Sequence, residues 1–218
     1  MNENTLYNQD CMEIMKQMED DYVDLTLTDP PYGIGMSRGH SWGGFGFGGK
    51  QIIRKDWGED WDNERPAPEY FIEMQRVSKL CVIFGGNYFA DILPLGTHWL
   101  VWNKHNTMPS YSDAELLWTN SHRKSVKLFD HEWNGCFIGR AKTHPTEKPV
   151  ELLEKILESY SEEGQLIFDP FAGSGATLVA AKKHRRRYIG CEIMEKHYHN
   201  ARRRLESTSV NLFKQEEE

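Results

Sequence analysis

Leu166-Ile167-Phe168-Asp169-Pro170-Phe171-Ala172-Gly173-Ser174-Gly175-Ala176-Thr177, running on into Leu178-Val179-Ala180, reads as strand, glycine turn and helix in immediate succession. Glycines between a strand and a helix start let a ligand approach the backbone closely, and the free N–H groups of the first helical turn suit a carboxylate or a phosphate. The turn does not read as a nucleoside-triphosphate loop, because the Lys-Ser/Thr pair of a Walker A sequence is missing. Gly173-x-Gly175 also lacks the third glycine of the dinucleotide fingerprint.

Far upstream, the apolar run Val23, Leu25, Leu27 ends in Asp29-Pro30-Pro31-Tyr32-Gly33. A buried strand would deliver this turn to the edge of a sheet. Proline fixes φ and restrains the residue before it, so the carboxylate and the backbone carbonyls hold one arrangement. Asp29 and a proline carbonyl can accept hydrogen bonds from an exocyclic NH2 group, and the Tyr32 ring offers a face for stacking. The same four residues also suit an ordinary strand-end turn.

Between and around these segments the chain alternates. Strands are predicted at Asn4 to Gln9, Val23 to Thr28, Leu80 to Phe84, Trp99 to Asn103, Glu115 to Thr119, Leu166 to Phe168 and Arg187 to Cys191. Helices are predicted at Cys11 to Met18, Ala67 to Lys79, Val150 to Tyr160, Ala176 to His184 and Lys196 to Leu205. Strands spaced by helices argue for an α/β fold, a doubly wound and largely parallel sheet covered on both faces. At 218 residues, with 39% hydrophobic and 27% charged content, one sizeable domain is expected over residues 1–218.

Two stretches break the alternation. Residues 33–49 hold Gly33, Gly35, Gly39, Gly43, Gly44, Gly46, Gly48 and Gly49, a density that no packed helix or strand interior tolerates. A mobile loop over 33–65 is expected, leaving directly from the Asp29 turn, with Trp42, Phe45 and Phe47 as stacking or wedge residues. The second stretch, 104–143, is polar, aromatic and basic.

The two motifs and their order resemble the S-adenosylmethionine-dependent amino-methyltransferases of DNA, in the circularly permuted group whose catalytic motif precedes the cofactor motif. Asp29-Pro30-Pro31-Tyr32 comes first, then a variable middle, then His144-Pro145-Thr146-Glu147-Lys148-Pro149. The Asp169 glycine turn and Tyr188-Ile189-Gly190-Cys191-Glu192 follow. Two departures are small: Ala176 stands where a threonine is common, and Asn8-Gln9-Asp10 where Gly-Asp is common.

The resemblance implies a Rossmann-like class I methyltransferase fold, S-adenosylmethionine as cofactor and double-stranded DNA as substrate. It assigns catalysis to Asp29, Pro30, Pro31 and Tyr32, with Tyr32 stacking on a flipped base. On the cofactor side it assigns Asp169, Pro170, Phe171, Ala172, Gly173, Ser174, Gly175 and Thr177 to the methionine part and Glu192 to the ribose hydroxyls. Asp10, with Cys11 beside it, falls to the adenine amino group. His144, Thr146 and Lys148 would lie against the methionine end, and Asp29 is also counted among the cofactor-binding residues. Asp10 equally suits a helix N-cap, and Lys148 a surface position at a helix start. Aspartate at position 29 favours adenine N6, whereas serine is commoner there in enzymes of cytosine N4. A non-catalytic nucleic-acid-binding relative and an RNA or protein-amide enzyme are the other classes the motifs leave open.

The 104–143 stretch occupies the family's target-recognition position and is short for that task. A homodimer would supply the DNA surface it lacks. Charge fits a DNA partner once its distribution is considered. The net charge is −7, and residues 1–33, with eight acids and one lysine, account for all of it. Residues 182–204 carry nine Lys or Arg against two Glu, including Arg185-Arg186-Arg187 and Arg202-Arg203-Arg204. Arg123, Lys124, Lys127, Arg140 and Lys142 form the central cluster expected to meet phosphates, while a solvated helix face suits the arginine runs. Cys11, Cys81, Cys136 and Cys191 lie far apart without a C-x-x-C pair, so no zinc cluster or disulfide framework is expected. No metal is expected. With no apolar run long enough for a membrane span and a polar Met-Asn-Glu-Asn start, the expected location is the cytoplasm.

Overall fold

The computed structural model describes residues 1–35, 62–105, 112–133 and 147–210. Their strands are β1 (Thr5–Tyr7), β2 (Leu25–Thr28), β3 (Cys81–Phe84), β4 (Trp99–Asn103), β5 (Ala114–Thr119), β6 (Val126–Asp130), β7 (Leu166–Asp169) and β8 (Arg187–Cys191). The helices are α1 (Cys11–Met15), α2 (Pro68–Val77), α3 (Val150–Tyr160), α4 (Ala176–Lys183) and α5 (Glu195–Ser207). All eight strands join one sheet in the order β1-β8-β7-β2-β3-β5-β4-β6. Every neighbouring pair is parallel except the two made by β5, which runs antiparallel to both β3 and β4.

The central strands β2, β3 and β7 are buried along their whole length, so they read as continuous rather than alternating apolar runs. Their side chains still divide by parity. Leu25, Leu27, Val82, Phe84 and Ile167 join one core with Leu152, Leu153 and Ile156 of α3 and Leu178 of α4. Cys81, Ile83, Leu166 and Phe168 join the other with Ile14 and Met15 of α1 and Phe71 and Met74 of α2. Two cores on opposite faces of one sheet are the doubly wound arrangement. The two buried threonines of β2 are satisfied: Thr26 Oγ1 lies 2.6 Å from Ser78 Oγ, and Thr28 Oγ1 donates to Asp169 Oδ1 at 2.7 Å.

Several helix limits follow from local chemistry. Pro68 opens α2, where its missing N–H costs nothing. Pro149 precedes α3 as its N-cap. The predicted helix Cys11 to Met18 stops at Met15, and the predicted strand Asn4 to Gln9 shortens to three residues, pairing only at Thr5, Leu6 and Tyr7 with β8.

The stretch 104–143 contributes more to the sheet than its composition suggests. Besides β5, it supplies β6, an edge strand beside β4 in which only Phe129 is buried. With four of five side chains exposed, β6 carries no alternation strong enough to read from sequence. The remainder of that stretch, 106–111 and 134–143, lies outside the described residues, as do 36–61 of the glycine-rich loop with Trp42, Phe45 and Phe47.

Candidate active site

Four acids follow four neighbouring parallel strands. Asp10 comes after β1, Glu192 after β8, Asp169 ends β7 and Asp29 comes after β2. Ligands of open α/β sheets sit outside the carboxyl ends of the strands. With strands ~4.8 Å apart, the row of acids extends roughly 14 Å along that edge. It borders a cavity of about 520 Å3 that Asp10, Cys11, Asp29, Pro31, Tyr70, Lys148, Asp169 to Ser174, Thr177 and Glu192 also line. That volume falls within the range of small-molecule sites. Six carboxylates face two side chains of Lys or Arg in the lining, a donor set suited to a cationic ligand and hostile to a triphosphate.

Each acid is fixed by its surroundings. Asp10 is the N-cap of α1, with Oδ1 accepting from Met12 N at 2.8 Å, while Oδ2 accepts from the Tyr70 hydroxyl at 2.8 Å. Asp10 is thus a helix cap that also lines the cavity. Burial and the Asp10 carboxylate push the Tyr70 phenol up to about 12. Glu192 holds the glycine turn: Oε2 accepts from Gly173 N at 2.9 Å and Oε1 from Met194 N at 2.8 Å. Asp169 is buried, and burial pushes its carboxyl up to about 6 against the hydrogen bonds of Thr28, Thr177 and Phe171 N.

The turn itself needs its glycines. Gly173 and Gly175 have φ of 51° and 72°, the left-handed region. A Cβ on Gly175 would also come within 3.0 Å of Ala201 Cβ on α5. Gly175 N donates to Ala172 O and Ala172 N to Cys191 O, so the turn closes on itself and on the end of β8. Burial pushes the Cys11 and Cys191 thiols up, which keeps both neutral.

At the other end, Asp29 Oδ1 accepts from the Tyr32 hydroxyl at 2.5 Å and Oδ2 from Lys148 Nζ at 2.6 Å. Tyr32 stacks on Tyr88 with ring centroids 4.6 Å apart and 15° between planes, and meets Phe89 edge-on. Gly85, at φ 66° directly after β3, makes room for it: a Cβ there would lie 2.3 Å from the Tyr32 ring. Burial pushes the Asp29 carboxyl above the usual carboxylate range, against the pull of the Lys148 ammonium. Burial, and then the Asp29 charge, push the Tyr32 phenol well above its ordinary value.

Asp10, Cys11, Asp29, Pro31, Lys148, Asp169, Pro170, Phe171, Ala172, Gly173, Ser174, Thr177 and Glu192 share the cavity lining. Pro30 is buried behind it, and Gly175 is the N-cap of α4. His144 and Thr146 lie outside the described residues. Lys148 is not a surface residue at a helix start. Its side chain is buried, and its ammonium is held by Asp29 and by Glu115.

Tyr70, Tyr88 and Glu115 escaped sequence reading, because nothing at positions 70, 88 or 115 marks them apart from ordinary helix or strand residues. Glu147 lay inside the quoted motif, but its partner came from far away: Arg204 Nη1 pairs with it at 2.7 Å. Arg186 likewise turns inward, donating to Ser161 O at 2.8 Å at the end of α3. The arginine runs therefore serve the fold as well as the surface. Among the described residues no group of three or more His, Cys, Asp or Glu is placed to hold a metal, and no helix is long and apolar enough to cross a membrane.

Comparison with known proteins agrees with this geometry. A family model described as DNA methylase matches residues 101–203. The Type II methyltransferase M2.DpnII of Streptococcus pneumoniae is 27% identical over 94% of this chain and 91% of its own. The crystal structure of the M1.HpyAVI–SAM complex superposes with a TM-score of 0.62 at 20% identity, covering 92% of this chain and 98% of the other. The cytosine-N4-specific PvuII DNA methyltransferase gives a TM-score of 0.62 at 14% identity, covering 98% and 89%. These two structures share the class I methyltransferase fold with the present sheet. The glycine turn between β7 and α4, the acids at successive strand ends and the matches over nearly the whole chain point the same way: the chain has the class I methyltransferase fold and is similar to the S-adenosylmethionine-dependent DNA amino-methyltransferases.

Proposed function

We propose that this enzyme methylates the N6 amino group of an adenine flipped out of double-stranded DNA. The observation that carries the reading is Asp29, an acid rather than a serine, held at the end of β2 on the border of the cavity. S-adenosylmethionine, when bound, supplies a methyl group already activated by its sulfonium. Asp10, Glu192, Asp169 and the Gly173 turn would hold it along the row of acids.

The residues of this chain then have a positioning task. The adenine amine is a poor nucleophile because its lone pair is delocalised into the ring. The Asp29 carboxylate and the Pro30 carbonyl accept its two N–H hydrogens and so favour a pyramidal nitrogen with the lone pair free. For the amine to reach Asp29 Oδ1, the Tyr32 hydroxyl gives way, exchanging one donor for another. Tyr32 then offers the base the face turned away from Tyr88. The bond that the nitrogen forms to the methyl carbon would replace that carbon's bond to the sulfonium sulfur, which keeps the electron pair and leaves as a neutral thioether; the nitrogen becomes positive and the Asp29 hydrogen bond strengthens. The nitrogen finally sheds one of its two protons, to Asp29 or to water.

Duplex DNA amplified without modification should take labelled methyl from S-adenosylmethionine, with the label in N6-methyladenine after digestion to nucleosides. Label in N4-methylcytosine would overturn the base assignment, and label on matched RNA but not DNA would overturn the substrate. A second expectation concerns the cofactor side. Glu192→Ala removes the acceptor that fixes Gly173 N and Met194 N, and charge-assisted hydrogen bonds contribute ~1.5–3 kcal/mol each. S-adenosylmethionine affinity should fall by about 10- to 100-fold in calorimetric titration. Unchanged affinity would remove Glu192 from the cofactor site.

A further inference from the structure

We propose that Lys148 is a positioning residue for the target amine, acting through Asp29, which it keeps ionised, and that Glu115, itself held by Lys104, shares the Lys148 ammonium with Asp29 and so tempers that hold. The proposal rests on Asp29 being the acceptor of the amine. Lys148 Nζ lies 2.6 Å from Asp29 Oδ2 and 3.4 Å from Glu115 Oε2. Glu115, on β5, gives its other oxygen to Lys104 Nζ at 2.5 Å. Two carboxylates and two ammonium groups thus share one enclosed cluster.

Lys148 is constrained at both ends of its side chain. Pro149 follows it and restricts its backbone to extended conformations. Its ammonium lies 5.1 Å from the Phe84 ring centroid and 5.8 Å from that of Tyr32, so aromatic walls replace water around the charge. Burial works against the Lys148 charge, yet Asp29 and Glu115 together hold its pKa above the ordinary lysine value. Burial opposes the Glu115 charge as well, and Lys148 and Lys104 bring its carboxyl below the usual range.

Two consequences reach the reacting amine. First, a protonated Asp29 would offer a donor where the amine needs an acceptor. Asp29 is largely withdrawn from water and also feels the Asp169 carboxylate from β7, so without an adjacent cation its carboxyl would be pushed up further and would hold a proton more readily. Second, Lys148 occupies Oδ2, which leaves Oδ1, now bonded to Tyr32, as the oxygen that receives the amine. The lysine therefore selects both the charge and the face of the acceptor. The groups facing Asp29 are Tyr32 on its own turn, Lys148 ahead of α3, Glu115 on β5 with Lys104 behind it, and Asp169 on β7.

The test combines kinetics with a direct titration. Lys148→Met should lower single-turnover methyl transfer by about 10²-fold while the S-adenosylmethionine dissociation constant stays within about threefold. The acid limb of its pH profile should move up by at least about 1 pH unit, and Lys148→Arg should bring it back. In protein with 13C-labelled aspartate carboxyls, assigned with Asp29→Asn, the Asp29 midpoint should rise in Lys148→Met. It should fall in Glu115→Gln, where the competing carboxylate is gone. If cofactor affinity fell in step with transfer while the acid limb and both midpoints stayed put, Lys148 would be a cofactor contact or a packing residue and the proposal would be wrong. The titration needs no DNA. A wild type that methylates nothing would sink the transfer reading, whereas an unmoved Asp29 midpoint would sink the role of Lys148.

Discussion

Asp29→Ala should lower single-turnover methyl transfer by about 10³-fold and leave S-adenosylmethionine affinity within about threefold. The asymmetry follows from what Asp29 touches. Its two oxygens are engaged with Tyr32 and Lys148, not with the glycine turn that Glu192 and Asp169 organise. An interaction that strengthens only as positive charge builds on the amine is felt in turnover and hardly in ground-state binding. Alanine also leaves Lys148 in its enclosed site with Glu115 as its remaining acid, so Asp29→Asn makes the cleaner comparison of shape. The amide keeps a carbonyl acceptor but no charge, and it should fall between wild type and alanine. A loss of cofactor affinity matching the loss of transfer would place Asp29 in the cofactor site alone.

The second large effect lies outside the chemistry. Arg204→Met should destabilise the fold by about 3–5 kcal/mol, the range for removing one partner of a buried ion pair. Glu147 has a side chain with no exposed surface, and Arg204 Nη1 reaches it at 2.7 Å while also donating to Ser174 O and Oγ on the glycine turn. Arg202 and Arg203, two and one residues earlier, bond Glu206 and Asn200 in the open. Arg202→Ala and Arg203→Ala should therefore leave the urea unfolding midpoint where it is. Equal midpoints for all three variants would mean that Arg204 is a surface residue like its neighbours.

That contrast shows where the sequence was legible and where it was not. A run of three arginines on an amphipathic helix carries one message in sequence, a charged face. Helix geometry sends the third toward α4 and the segment ahead of α3, because position 204 lies three residues after buried Ala201 and beside Leu205. Such a partnership depends on residues 57 positions apart in the chain, which no local pattern reveals. The same holds for Lys148: its sequence context, ahead of a proline and a helix, is that of a surface residue, and only the pairing of β5 beside β3 brings Glu115 to it.

By contrast, Asp29 and Asp169 stood out because each ends a short apolar run, whereas Asp10 and Glu192 were named only through the family resemblance; parallel strands of one sheet bring all four to the same edge. What the sequence could not supply was their order along that edge, β1-β8-β7-β2, which turns scattered acids into a continuous lining. Strand β6 was missed for an energetic reason. An edge strand with one buried side chain gains its place from backbone pairing with β4 rather than from an apolar pattern.

The proposed reaction makes one bond, between the transferred carbon and an exocyclic adenine nitrogen. Duplex DNA carrying 15N at the adenine amino position, incubated with S-adenosylmethionine bearing a trideuterated methyl, can be digested and its nucleosides analysed by mass spectrometry. The expected product is a deoxyadenosine in which the CD3 group is bonded to 15N. A CD3 group on ring nitrogen N1 of adenine, on cytosine N4 or on cytosine C5 would contradict it.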